Sequence, residues 1–343
     1  MKQSLRLVKH FLCLVLLFPI PSQAQGHKHV HNKPLFVLFH GLCNNTASFT
    51  RLQSRLQKAF PAATVVALSC VEGPESLALS IEEQAQKCFQ ELVQKVENAA
   101  TRPIILIGYS QGGMRAYAFL QQCRTQLNVK GLVGLATPWE GVPGARVDEK
   151  MLSEHLTDAV ETDLQILSTS LGHPADELKE RLVLEIRTNQ MICQYPGAQD
   201  LIIGSPFLSN VQQMLPKEPV AILAIAGGQS DFGALLAPKR VRHSFKALNQ
   251  LYAFFTTGHK RRVNTSHDMW IPCDSQLAKT IVIKRKRNFQ RLLIEDAFHS
   301  AQVWSMIPVH EHKNILTHPR VFKAIAQFAK KQLSSSVKPS RPK

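Results

Sequence analysis

No stretch of about twenty consecutive apolar residues runs through this sequence, so a helix that crosses a membrane is not expected. Cys-x-x-Cys pairs are absent as well, which argues against a zinc ribbon or a dithiol redox motif. Acidic residues are scarce: 25 Asp and Glu stand against 41 Lys and Arg, for a formal net charge of +16. That balance favours loose contact with anionic surfaces such as acidic lipid. Tyrosine and tryptophan are few, at 4 and 3, and none interleaves with the cluster Lys284, Arg285, Lys286, Arg287. A single-strand binder stacks bases on such aromatics, so no nucleic-acid partner is expected. The cluster itself reads as the solvated end of a strand.

What is present begins with Lys2, Arg6 and Lys9 ahead of an apolar run over 11–20 and small residues up to Ala24. This is the pattern of a signal peptide spanning 1–24, cleaved after Ala24, and it implies an exported protein, periplasmic or secreted. Removing three basic and no acidic residues leaves the mature chain at +13. Cys13 would leave with it, and the remaining six cysteines, an even number outside the cytosol, suggest disulfides of unreadable connectivity, with buried thiols as the alternative. The segment 26–31 holds three histidines but no carboxylate or cysteine, and reads as a polar tail, so no metal site and no cofactor are expected.

Strands are expected at 35–39, 63–68, 104–109, 129–135, 219–226 and 280–284, with helices near 48–60, 80–98, 111–122 and 321–331 between and after them. Alternation of this kind gives an α/β protein with a mostly parallel sheet flanked by helices. Residues 142–218 break the alternation with polar helical stretches, the place for an inserted cap, and a basic loop over 239–262 is a second excursion. Residues 334–343 lack apolar periodicity and read as a disordered basic tail.

The most informative segment is the apolar run from Ile104 that breaks into Gly108-Tyr109-Ser110-Gln111-Gly112 and continues as a helix. A serine at a sharp strand-to-helix turn is a nucleophile elbow, and its neighbours two away must lack side chains. Ser110 is the expected nucleophile, against the alternative of an ordinary surface turn. His40 and Gly41 end the first strand where a loop N–H can approach a substrate carbonyl, so the oxyanion hole is assigned to the N–H groups of Leu42 and Gln111. A serine needs a base and an orienting carboxylate, expected in the order serine, acid, histidine. Asp268 is preferred over Asp231 for the acid. His312, beyond the last expected strand and just before the apolar pair Ile315-Leu316, is preferred over His310 for the base, with His299 and His318 less well placed.

With these residues set out, the chain resembles the α/β-hydrolase superfamily and within it the lipase and palmitoyl-protein thioesterase group. The resemblance is carried by His40-Gly41-Leu42, by Gly108 to Gly113, by the segment from Leu135 to Gly141, and by the stretches around Asp268 and His312. It implies an α/β-hydrolase fold over 25–333 with the cap insertion at 142–218. It also implies a serine hydrolase that cleaves fatty acyl esters or thioesters through an acyl-serine intermediate, without a cofactor. Its partner would be an acyl-lipid or acyl-thioester substrate, with peripheral contact to an anionic membrane surface. Acyl transfer on the same triad, or a non-catalytic basic interaction protein, are the alternatives. Trp139 departs from the group, in which bacterial lipases often show histidine.

Overall fold

In the computed structural model, residues 33–236, 243–258 and 266–334 are described. The expected signal peptide, the histidine-rich segment and all of the expected tail beyond Ser334 lie outside them. Six strands form one parallel sheet: β1 Leu35–Phe39, β2 Thr64–Ala67, β3 Ile104–Tyr109, β4 Val129–Leu135, β5 Ala221–Gly227 and β6 Phe289–Ile294, in the order β2-β1-β3-β4-β5-β6. Side chains alternate across it. Leu35, Val37, Phe39, Ile104 and Leu106 enter a core beneath the helices Ile81–Lys95 and Gln111–Gln122. Phe36, Leu38, Ile105 and Ile107 enter the opposite core, beneath the helices Thr50–Ala59 and Pro319–Ser334. A sheet apolar on both faces is what parallel strands require.

The last strand departs from the sequence reading. Residues 280–284 alternate as a strand should, with Ile281 and Ile283 buried and Val282 81% exposed, but they form an irregular segment whose Lys284 N–H bonds to Pro216 O. The sheet edge is taken by Phe289–Ile294 on β5. This strand carries Arg291, whose guanidinium reaches back to the carbonyls of Leu277 and Ala278 and, at 3.4 Å, to that of Ile281 in the irregular segment. The cluster 284–287 therefore precedes a strand instead of ending one.

A third core lies outside the sheet. The helices Asp158–Leu171 and Ala175–Ile192 pack with Lys246–Thr257, a helix inside the second excursion, through Leu164, Leu167, Leu182, Ile186, Leu251 and Phe255. The later part of the insertion returns to the sheet: Leu201, Phe207, Leu208 and Val211 join the same core as β1 and β3. Trp139, the departure noted above, is wholly buried between Tyr117 and Phe289 as core filling.

Candidate active site

Strand β3 runs into the helix Gln111–Gln122 with a single residue between them, and that residue is Ser110 at φ 55° and ψ −127°. A non-glycine residue holds such torsions only where its surroundings dictate them. Here Ser110 N–H is bonded to Leu135 O of the neighbouring strand at 2.8 Å and Ser110 O receives Gly113 N–H at 2.9 Å. Gly108 and Gly112 make the crossing possible. A Cβ on Gly112 would collide with the carbonyls of Phe39 and His40, and one on Gly108 with the backbone of Gly112 and Gly113.

The histidine beside Ser110 is His299. Its Nε2 lies 3.2 Å from Ser110 Oγ, and its Nδ1 lies 2.7 Å from Asp268 Oδ2. The imidazole with its proton on Nδ1 then donates to the carboxylate and accepts from the serine hydroxyl. His312, the residue expected from the sequence, is elsewhere: it sits in the one-turn helix Glu311–Lys313, exposed and stacked on His310 at 5.7 Å between ring centroids. The cause is the misplaced last strand. The loop that follows the true edge strand reaches His299 five residues after Ile294, and the chain comes back only at Asn314, which bridges to Phe298. His312 lies on the returning limb of that loop. His318 faces Asp296 at 3.3 Å.

Asp268 is placed as expected, fully buried, with Oδ1 receiving the N–H groups of Trp270 and Ile271 at 3.0 and 2.8 Å. Its own carbonyl takes His299 N–H at 2.9 Å, so acid and base are joined through backbone as well as side chain. The rival Asp231 caps a short turn through Gly233 N–H. Two positioning groups had no signal in the sequence reading. Tyr109, the residue before the nucleophile, donates its hydroxyl to His299 O at 2.9 Å. Gln276 receives Gly227 N–H and donates to Ile271 O, tying the acid's loop to the end of β5.

The loop after β1 is set by His40. Gly41 O receives Asn44 N–H at 3.2 Å and the His40 Nδ1 proton at 2.9 Å. Because a peptide is planar, pinning that carbonyl also aims the N–H of Leu42, for which no protein acceptor is found among the described residues. Burial, and secondly the Arg115 charge, hold the His40 ring down at about 4, so it stays neutral. Gln111 opens the helix after the elbow, where an N–H has no partner within its own helix. Leu42 and Ser110 line a single cavity of about 610 Å³, walled by Val142, Ile192, Leu201, Trp270 and Trp304.

The expected disulfides are not formed in this structure. The six described cysteines are free thiols, with Cys70 and Cys88 sulfurs 3.3 Å apart. Among the described residues no group of three or more His, Cys, Asp or Glu is arranged to hold a metal, and no helix is long and apolar enough to cross a membrane.

The palmitoyl protein thioesterase family model matches residues 35–195, from β1 through the nucleophile and into the insertion. The human protein named lysosomal thioesterase PPT2 is 34% identical over 135 residues, 39% of this chain and 41% of its own length. Its rat counterpart is 33% identical over 125 residues, 36% of this chain and 40% of its own. The chain thus spans about two fifths of the length of these curated relatives. Among solved structures, the Bacillus licheniformis lipase BlEst2 covers 86% of this chain and 91% of its own at 13% identity and a TM-score of 0.48. The chain has the α/β-hydrolase fold and, over residues 35–195, is similar to the palmitoyl protein thioesterases.

Proposed function

We propose that this protein is a serine hydrolase that cleaves acyl thioesters or esters with an apolar acyl chain. The observation that carries the reading is a hydrogen-bonded line from Asp268 through His299 to Ser110, ending on a mostly apolar cavity. Ser110 Oγ attacks the acyl carbon while His299 Nε2 takes its proton. The new negative charge falls on the carbonyl oxygen, facing the N–H groups of Leu42 and Gln111. Collapse breaks the bond to the leaving group, and His299 Nε2 returns the proton to it, so that a thiol or an alcohol departs and the imidazole is neutral again. Water then repeats the attack on the acyl-serine, with His299 as base and Asp268 holding its tautomer. The amino-terminal pattern of the sequence supports an exported enzyme, and its basic balance supports contact with an anionic lipid surface.

The test is hydrolysis of acyl thioesters and esters of rising chain length by the purified protein, with Ser110→Ala as control. Long-chain turnover lost in the variant is expected. An active Ser110→Ala protein, or a folded wild type inactive on every substrate and unlabelled by a fluorophosphonate, would overturn the reading.

A further inference from the structure

One group inside the sheet core has no part in the mechanism above, and its burial asks for a reason. Arg115, on the helix that begins at Gln111, has no exposed surface, and among the described residues no carboxylate bonds to it. A cation taken out of water is retained against a large desolvation cost. Its Nε donates to Gln84 Oε1 at 2.8 Å, its Nη2 donates to Gln111 Oε1 at 3.1 Å, and Nη1 has no hydrogen-bond acceptor.

The two glutamines pass this constraint on. Because the guanidinium has only donors, each carboxamide must turn its oxygen toward Arg115 and its NH2 away. Both NH2 groups converge on Ser76 O, at 2.9 Å from Gln84 and 3.0 Å from Gln111, and Gln111 also donates to Gly197 O of the insertion at 2.9 Å. Ser76 Oγ in turn receives Cys43 N–H at 2.7 Å, the peptide next to Leu42. One arginine therefore orients Gln111, which bears one oxyanion donor, and, through Ser76, anchors the loop that bears the other. The same charge acts on the His40 ring, which pins the Gly41 carbonyl in that loop.

We infer that Arg115 is a positioning residue for the oxyanion hole, holding the donors of Leu42 and Gln111 in register through Gln84, Gln111 and Ser76. The inference rests on the hydrolase reading and goes beyond it. Positioned donors matter most when the oxygen is charged, so loss of Arg115 acts on the tetrahedral state and not on binding of the neutral substrate. Arg115→Met is expected to lower kcat about 10- to 100-fold with KM within about twofold. It should weaken a trifluoromethyl ketone, which forms an anionic adduct on Ser110, by a similar factor, while a long-chain alkyl amide that binds without reacting is unaffected. Arg115→Lys, which keeps the charge without the fork, should recover part of the loss.

Should Arg115→Met fail to fold, Ser76→Ala removes the link to Cys43 and the hydroxyl's bond to Gly73 O while keeping the Ser76 carbonyl, and is expected to lower kcat about threefold to tenfold with the same split between the two ligands. Equal losses for both ligands, or a kcat within twofold of wild type in every folded variant, would overturn the inference and leave the hydrolase reading intact. A wild type inactive on all acyl substrates would overturn both.

Discussion

Ser110 and His299 meet at 3.2 Å from regions held in opposite ways. The serine belongs to the main core. Every residue of β3 is buried, every residue of its helix from Gln111 to Leu120 is buried, and a backbone bond to β4 fixes the elbow. The histidine belongs to a loop whose regular structure is two two-residue strands and one helical turn, and which places Trp304 and Ser305 at φ 53° and 55°. That loop is anchored at a few points, Tyr109 and Asp268 behind His299 and Asn314 beside Phe298. Beyond them its apolar residues Val303, Trp304 and Ile307 are buried with the helices of the third core, away from the sheet. Ser110 is thus held by the sheet, and His299 is shared between the sheet and the third core. Damage to the backbone crossing on the first side should appear as misfolding, and damage on the second as lost turnover in a folded protein.

The largest effect should come from the base. His299→Ala is expected to lower kcat/KM by about 10⁴-fold, roughly 5.5 kcal/mol of transition-state stabilisation, with little change in melting temperature. His312→Ala should stay within twofold of wild type. Steady-state kinetics and thermal melts on the two variants check both halves. If His312→Ala were the inactive one, the assignment of the base, and with it the contrast between the two regions, would fall.

On the sheet side, Gly112→Ala should do the reverse. Its Cβ meets the backbone carbonyls of Phe39 and His40, which cannot swing aside as a side chain would. A loss of about 3 kcal/mol or more is expected, seen in denaturant unfolding, with activity falling because folded protein is lost. A Gly112→Ala protein of normal stability would show that the elbow is less tightly held than its geometry indicates.

The same contrast governs what could be read in advance. The elbow is legible because strand, glycines and helix are contiguous, so periodicity and motif report on one place. His299 is legible only if the edge strand is found, and two features hid it. Ile281, Val282 and Ile283 alternate like a strand, while the true one carries Arg291, whose charge is used up on carbonyls that only the fold brings near. Asp268 was found because the acid's own turn is local, with Trp270 and Ile271 as its donors. Tyr109 gives no signal because its partner lies 190 residues away in sequence, and Arg115 gives none because Gln84, which joins it to Gln111, lies 31 residues away.

The cap side should also respond to pH. Glu185, on the helix Ala175–Ile192, is pushed up to about 7, by burial first and against the hydrogen bond from Tyr252. A carboxyl whose folded value lies above its unfolded value of 4.5 binds its proton better when folded. Its contribution to stability is therefore full below about pH 4.5 and is lost as pH rises to about 7, by about 2–3 kcal/mol. His40 and His267, both held down at about 4 mainly by burial, act in the other direction, losing stability as pH falls from 6.5. The Glu185 share is isolated by difference: the gap between wild type and Glu185→Gln, measured by urea unfolding, should shift steadily against wild type between pH 4.5 and 7. A gap that does not change with pH would remove this group from the account.

The smallest effects offer the finest comparison, because one kind of deletion can be made on each side. Trp304 Nε1 donates to Tyr252 OH at 3.2 Å, and Tyr252 donates to Glu185 at 3.0 Å, so a line of hydrogen bonds joins the histidine's loop to two helices of the third core. Trp304→Phe breaks that line while keeping a ring against Phe232. A loss of about 1 kcal/mol is expected, together with a fall of a few-fold in kcat as the loop carrying His299 loosens. On the nucleophile's helix, Tyr117 buries a hydroxyl that has no partner, so Tyr117→Phe should leave stability unchanged or raise it by up to about 1 kcal/mol, with kcat untouched. Unfolding and turnover measured on this pair separate the two regions by sign. If Trp304→Phe cost stability without touching kcat, the cap would be a roof over the cavity and not a support for the base.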